Sequence, residues 1–111
     1  MNAALLAAML AVESGGNDMA IGDHGRARGA LQIHAGVVAD VNRHHGTRYT
    51  HHDMHDRAKA VRVCSMYLAT YAPGASPEVQ ARVWNGGPRG ATKAATLGYW
   101  VKVRREMGGT R

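Results

Sequence analysis

Phenylalanine is absent from this 111-residue chain, and aromatic residues make up only 5% of it. A core built without large rings must be filled by Ala, Val, Leu and Met, a set that favours close packing of helices. One cysteine, Cys64, excludes an internal disulfide and a cysteine-rich zinc site, so packing alone must hold the fold. No uncharged apolar run approaches the ~18 residues that a membrane span requires. Acids are scarce as well: 8 Asp and Glu stand against 14 Lys and Arg, giving a net charge of +6. Such a surface attracts polyanions, among which nucleic acid, anionic lipid and acidic wall polymers all qualify.

What is present reads as helix. The segment from Ala3 to Glu13 is rich in Ala, Leu and Met and stops at Gly15 and Gly16. Leu6, Leu10 and Glu13 fall at i, i+4 and i+7, which predicts a core stripe with a carboxylate at its end. A glycine-rich loop follows, from Gly15 to Gly29. Further helices are predicted at 36–44, ending at Gly46; at 56–71, with Val61, Cys64, Leu68 and Tyr71 on one stripe; from the Ser76-Pro77 start to Trp84; and at 97–107, closed by Gly108 and Gly109. No β-alternation of useful length appears. The expected architecture is an all-α single domain of about five helices with a cleft, covering residues 1–111. The uncharged opening lacks the basic start and cleavage site of a secretory signal, so the chain reads as soluble and unprocessed.

Glu13 is the residue placed for chemistry. Breaking a glycosidic bond requires a proton for the leaving oxygen, and a carboxylic acid holds one near neutral pH only if desolvation raises its pKa. An apolar stripe supplies that environment, and Ser14-Gly15-Gly16 leaves room for a sugar. The spacing taken alone fits a solvated helix end better.

The surrounding blocks decide. Glu13-Ser14-Gly15-Gly16-Asn17, then Ala20-Ile21-Gly22-Asp23 and Gly29-Ala30-Leu31-Gln32-Ile33, resemble the soluble lytic transglycosylase family, related in fold to goose-type lysozyme. Arg82 to Gly90, with Trp84-Asn85-Gly86-Gly87-Pro88, is similar to that family's aromatic-Asn-Ala-Gly-Pro-Gly block. Tyr99 to Val103 is similar to its closing Tyr-Val-x-Lys-Val element, and Tyr67-Leu68 sits where the family has its central helix. The resemblance runs from Leu5 to Met107. It implies a lysozyme-like fold and cleavage of the MurNAc-GlcNAc β-1,4 bond of peptidoglycan. Glu13 would be the single catalytic acid/base, Ser14 a supporting hydrogen-bonder, and Gln32, Trp84, Asn85 and Tyr99 the substrate-binding residues, with Tyr99 facing the acid. Trp84 replaces the family's Tyr, and Asn85-Gly86-Gly87 replaces Asn-Ala-Gly.

The family implied by the resemblance needs no second carboxylate: the muramic acid 6-hydroxyl attacks the anomeric carbon and leaves a 1,6-anhydro end. Hydrolysis is the alternative, with Asp18 or Asp23 holding a water, although Asx residues among glycines ordinarily make turns. The run His44-His45 through His51-His52-Asp53-Met54-His55-Asp56 lacks the spacing of a zinc motif and is read as a solvated polar linker. No metal or other cofactor is expected. Basic residues are scattered, at Arg26 and Arg28, Arg57 to Arg62, and Lys102 to Arg105, which argues against a DNA-binding helix-turn-helix. A wall-binding domain without catalysis is a further alternative. The expected partner is the peptidoglycan glycan strand, with no nucleic acid and no membrane span; the expected state is a monomer acting on the bacterial wall, delivered by a phage or another export route.

Overall fold

A computed structural model describes residues 1–108; the predicted closing glycine Gly109 lies outside them. The described chain is predominantly helical, with five α-helices: α1 (Ala3–Ser14), α2 (Ala35–His45), α3 (Arg57–Tyr71), α4 (Pro77–Gly86) and α5 (Leu97–Glu106). A two-residue hairpin, β1 (Ile21–Gly22) and β2 (Ala27–Arg28), lies between α1 and α2. Helix count and order match the sequence expectation, and the hairpin is the departure from it. Two residues per strand are too few to show alternation, so no pattern in the sequence marked them.

The helix ends follow local chemistry. Asn2 caps α1, its Oδ1 accepting the Leu5 N–H at 2.6 Å. Ser76 caps α4 by accepting the Val79 N–H at 3.3 Å, with Pro77 at the first helical position. Gly46, with φ of 66°, closes α2 in the left-handed conformation. Helix α4 runs two residues past Trp84, through Asn85 and Gly86, and Gly87 ends it.

Two compact units are distinguished by their contacts: one contains Glu13–Tyr67, and the other contains Met1–Val12 together with the chain from Leu68 onward. In the first, Ala27, Ala30, Leu31, Ile33, Val38, Val41, Met54, Val63 and Cys64 are buried. In the second, Leu5, Met9, Leu68, Ala81, Val83 and Val103 are buried, and α4 packs on α5 and on the 3₁₀ turn Gly90–Thr92. The interiors are largely aliphatic, as the composition requires, with Tyr67 adding one ring.

Two predicted stripes are rotated. In α1 the buried positions are Leu5, Ala8 and Met9, while Leu6, Leu10 and Glu13 are half-buried. A helix apolar almost all round has no polar face to fix its rotation, so spacing alone chose the wrong row. In α3, Cys64 and Leu68 are buried as expected, but Ala60, Val63 and Tyr67 complete the face while Val61 and Tyr71 lie at its margin.

The histidine-rich segment 44–55 is more ordered than a solvated linker. Met54 is fully buried, and the ring nitrogens of four histidines hydrogen-bond to backbone carbonyls: His44 to Asp40, His45 to Met66, His51 to Ile33 and His55 to Asp18. A carbonyl only accepts, so each of these nitrogens carries its proton. The same segment holds a reciprocal turn: Asp53 Oδ2 accepts the Thr50 N–H at 2.8 Å, and Thr50 Oγ1 accepts the Asp53 N–H at 3.1 Å.

The Thr50 amide, and then the Lys59 ammonium at 3.2 Å, hold the Asp53 carboxyl below the usual aspartate value of 3.8. A lowered folded-state pKa contributes stability above the unfolded value and loses it as pH falls through the folded one. The stability deficit of Asp53→Asn in thermal melts is therefore expected to be largest near neutral pH and to shrink in strong acid. A deficit independent of pH would show that the charge has no part in it.

Candidate active site

Glu13 occupies the penultimate position of α1 and is half-buried. Gly15 and Gly16, with φ of 67° and 81°, turn the chain out of the helix immediately after it. Its surroundings include the fully buried Cys64 on α3. Burial pushes that thiol well above the ordinary range, and the negative charge of Glu13 pushes it further. The thiol therefore stays neutral, and the carboxylate stands within electrostatic reach of a buried, uncharged neighbour.

The chain after Glu13 is tied down at several points. Ser14 Oγ donates to the Ala30 carbonyl at 2.8 Å and accepts the Asn17 N–H at 3.0 Å, joining the end of α1 to the segment beyond β2. Arg57 donates through Nε to Asp18 Oδ1 and through Nη2 to the Gly16 carbonyl, both at 2.6 Å. His55 Nδ1 donates to the Asp18 carbonyl at 2.9 Å. Neither Arg57 nor His55 was marked as site-supporting by the sequence, because they lie some 40 positions away in a polar stretch that carries no motif.

The hairpin that follows concentrates backbone strain. Among the described residues, Asp23, His24 and Gln32 are the non-glycines with positive φ, at 49°, 57° and 51°. All three fall between β1 and the start of α2. Left-handed backbone costs a non-glycine residue about 1–3 kcal/mol, persists only where the surroundings over-determine it, and clusters at functional sites. The surroundings here are specific. Arg28 and Ile33 exchange backbone hydrogen bonds at 3.1 and 2.9 Å, Gly29 N–H donates to the Ala20 carbonyl at 2.8 Å, and Gln32 Nε2 donates to the Gly29 carbonyl at 3.0 Å. The Gln32 amide lies so close over Gly22 that a Cβ there would stand 2.3 Å from Oε1. Asp23 is exposed, and His34 Nε2 approaches its Oδ2 at 3.3 Å.

Glu13, Ser14 and Gln32 thus belong to one unit, whereas Trp84, Asn85 and Tyr99 belong to the other. Trp84 and Asn85 form the last turn of α4, Tyr99 lies in the first turn of α5, and these two helices pack together. Trp84 and Tyr99 are half-buried and Asn85 is exposed. A polar network around the buried Thr96 shapes the segment between them. Arg82 donates to Thr96 Oγ1 at 2.9 Å, to Glu78 at 3.0 Å and to the Lys93 carbonyl at 3.1 Å. Lys93 Nζ donates to the Gly86 carbonyl at 2.7 Å, placing a cation at the end of α4. Gly90 fits only because it lacks a side chain: a Cβ would lie 2.0 Å from the Arg82 carbonyl oxygen. The Asn-Gly-Gly-Pro-Arg-Gly block is accordingly a built turn. Among the described residues no cluster of His, Cys, Asp and Glu is arranged to hold a metal ion, and no helix is long and apolar enough to cross a membrane.

With this geometry in place, comparison with known proteins points to lysozymes. The chain matches the crystal structure of Tapes japonica lysozyme with a TM-score of 0.81 and 25% identity, over 94% of this chain and 89% of that one. It also matches Invertebrate-type lysozyme 6 of Caenorhabditis elegans at 59% identity over 27 residues, 24% of this chain. That match spans 20% of the curated relative's length. No protein-family model matches the chain. The fold is lysozyme-like, in agreement with the superfamily to which the sequence resemblance pointed; both matched proteins are lysozymes, and the transglycosylase subtype draws nothing from them.

Proposed function

We propose that this protein is a muramidase-type glycosidase that cleaves the β-1,4 bond between MurNAc and GlcNAc in peptidoglycan, with Glu13 as the proton donor. The observation that carries the reading is a half-buried glutamate at the end of α1, next to a strained, tightly bonded hairpin, in a chain that superposes on a lysozyme. Ser14 is a positioning residue, since both of its hydroxyl's bonds anchor the loop after Glu13. Gln32, Trp84, Asn85 and Tyr99 bind the glycan; the indole face and exposed amide suit N-acetylated sugar rings. The enzyme works as a monomer on the bacterial wall, and its positive charge speeds encounter with that anionic surface.

Hydrolysis is favoured by the different fates of two aspartates. Asp18 is engaged by Arg57 through its side chain and by His55 through its backbone, which makes it a structural residue. Asp23 is exposed on the strained turn, and among the described residues its carboxylate is met by His34 alone. It supplies the second carboxylate that stabilises positive charge at the anomeric carbon while water attacks. The transglycosylase reading, supported by the sequence blocks around Glu13 and Asn85, needs no such partner.

Mass spectrometry of digested peptidoglycan separates the two. Reducing MurNAc ends are the expected product, and 1,6-anhydro ends would establish transglycosylation. Under the hydrolytic reading, Asp23→Asn lowers the rate about tenfold to a hundredfold, whereas Asp18→Asn lowers the melting temperature and spares most of the activity of the folded enzyme. Full activity in Asp23→Asn would remove that residue from the mechanism. An unchanged polymer with the native chain would overturn the enzymatic reading itself.

A further inference from the structure

A cavity of about 380 Å³ opens within the Glu13–Tyr67 unit, lined by Gly25, Arg26, His34, Ala35, Gly36 and His51. Its polar lining is one-sided in character: a guanidinium and two imidazoles with no acidic side chain among them. The Arg26 guanidinium is exposed and takes part in no hydrogen bond or ion pair among the described residues. His34 is turned to Asp23 and His51 to the Ile33 carbonyl, so both rings are held in place at the wall. The backbone amides of Ala35 and Gly36 add donors on the same wall, where His34 offers α2 no side-chain cap.

We propose that this cavity is a carboxylate-binding subsite, occupied by the peptide stem carried by the muramic acid residue. The proposal rests on the peptidoglycan reading above and extends it from the glycan to its peptide. Three features select this ligand. First, the Arg26 guanidinium and the amides at the start of α2 are donors that a carboxylate accepts, while the two imidazoles hold the wall through Asp23 and the Ile33 carbonyl and no side-chain amide is present to meet an N-acetyl group. Second, the volume falls in the range of small-molecule pockets, roughly 300–1,000 Å³, which admits an amino-acid residue along with its carboxylate. Third, His34 both lines the cavity and touches Asp23, so the pocket adjoins the strained hairpin. A stem attached to the sugar at that hairpin brings its carboxylates within reach.

A binding measurement tests this without requiring turnover. Amide NMR spectra of the full chain are followed during titration with glycan-free N-acetyl-L-alanyl-D-glutamate, with its diamide and with inorganic phosphate. Saturable shifts at Arg26, Ala35 and Gly36 are expected with the acid and not with the diamide, and Arg26→Gln should weaken the binding about five- to tenfold, the loss of one exposed charge-assisted contact. In parallel, Arg26→Gln should raise KM by a similar factor on peptide-bearing glycan and leave peptide-free glycan unaffected. Equal shifts with the diamide, or none with either dipeptide, would overturn the subsite, and tighter binding of phosphate would reassign it to a phosphate-bearing wall polymer. Peptide binding at these amides by a chain that cleaves no glycan would instead refute the enzymatic reading and leave the pocket standing.

Discussion

Glu13→Gln should fold as the native chain does and fail to clear a suspension of purified wall material, with a rate lower by about 10²–10⁴. Glutamine retains the size and hydrogen-bonding ends of the side chain but has no acidic proton to give the departing sugar oxygen. Because Glu13 is half-buried at a helix end, and does not sit in the buried row of Leu5, Ala8 and Met9, the substitution leaves the packing of α1 intact. Its melting temperature should stay within a few degrees of the native value, which separates a chemical defect from unfolding. Comparable clearing by both forms would remove Glu13 from the reaction, and clearing by neither would mark a glycan-binding domain. The basic surface adds a control: raising salt should slow the native enzyme by weakening encounter, without restoring the variant.

The second large effect is structural. Gly29→Ala should destabilise the protein by about 3 kcal/mol or more, because two independent faults coincide. The residue has a φ of 82°, and an added Cβ would stand 1.8 Å from the Met54 carbonyl oxygen. That obstacle is backbone, and Met54 itself is fully buried, so neither side can give way without breaking the Gly29 to Ala20 hydrogen bond. Gly46→Ala is the matching control, since φ there is 66° but no atom lies within 4 Å of the added carbon. It should lose only about 1 kcal/mol, the cost of the left-handed backbone alone. Denaturant unfolding of the two variants measures the difference directly. Equal losses would mean that the close approach of residues 29 and 54 is readily relieved.

Gly29 also links stability to the site. Its carbonyl accepts the Gln32 side-chain amide at 3.0 Å, and the Gln32 amide in turn covers Gly22. Displacing Gly29 would therefore release the turn that holds Gln32 and Asp23 in left-handed conformations, so Gly29→Ala should lose activity along with stability. A functional loop can hold strained residues only while its supports are rigid, and here those supports are glycines that admit backbone against backbone.

Much of this was legible in the residues. The scarcity of aromatic rings, the single cysteine, the Ala- and Leu-rich segments, the Ser76 cap and the glycine stops at Gly15 and Gly46 specify helices, their order and most of their ends. Those are local effects, acting over one or two turns, and local chemistry is written in local sequence. Glu13 was marked differently, by the resemblance of the block Glu13-Ser14-Gly15-Gly16-Asn17 to a known family, since its spacing alone fits a solvated helix end.

Only the tertiary structure decided the rest. It chose which row of the uniformly apolar α1 is buried, because no polar face competed for solvent. The histidines of segment 44–55 became carbonyl tethers in place of a solvated linker, through partners up to 37 positions away. Asp18 and Asp23 look alike in the sequence, yet one binds Arg57 and the other stands on a strained turn. Long-range hydrogen bonds and close backbone approaches depend on which segments meet, and that is set by packing of the whole unit, which no window of neighbouring residues contains.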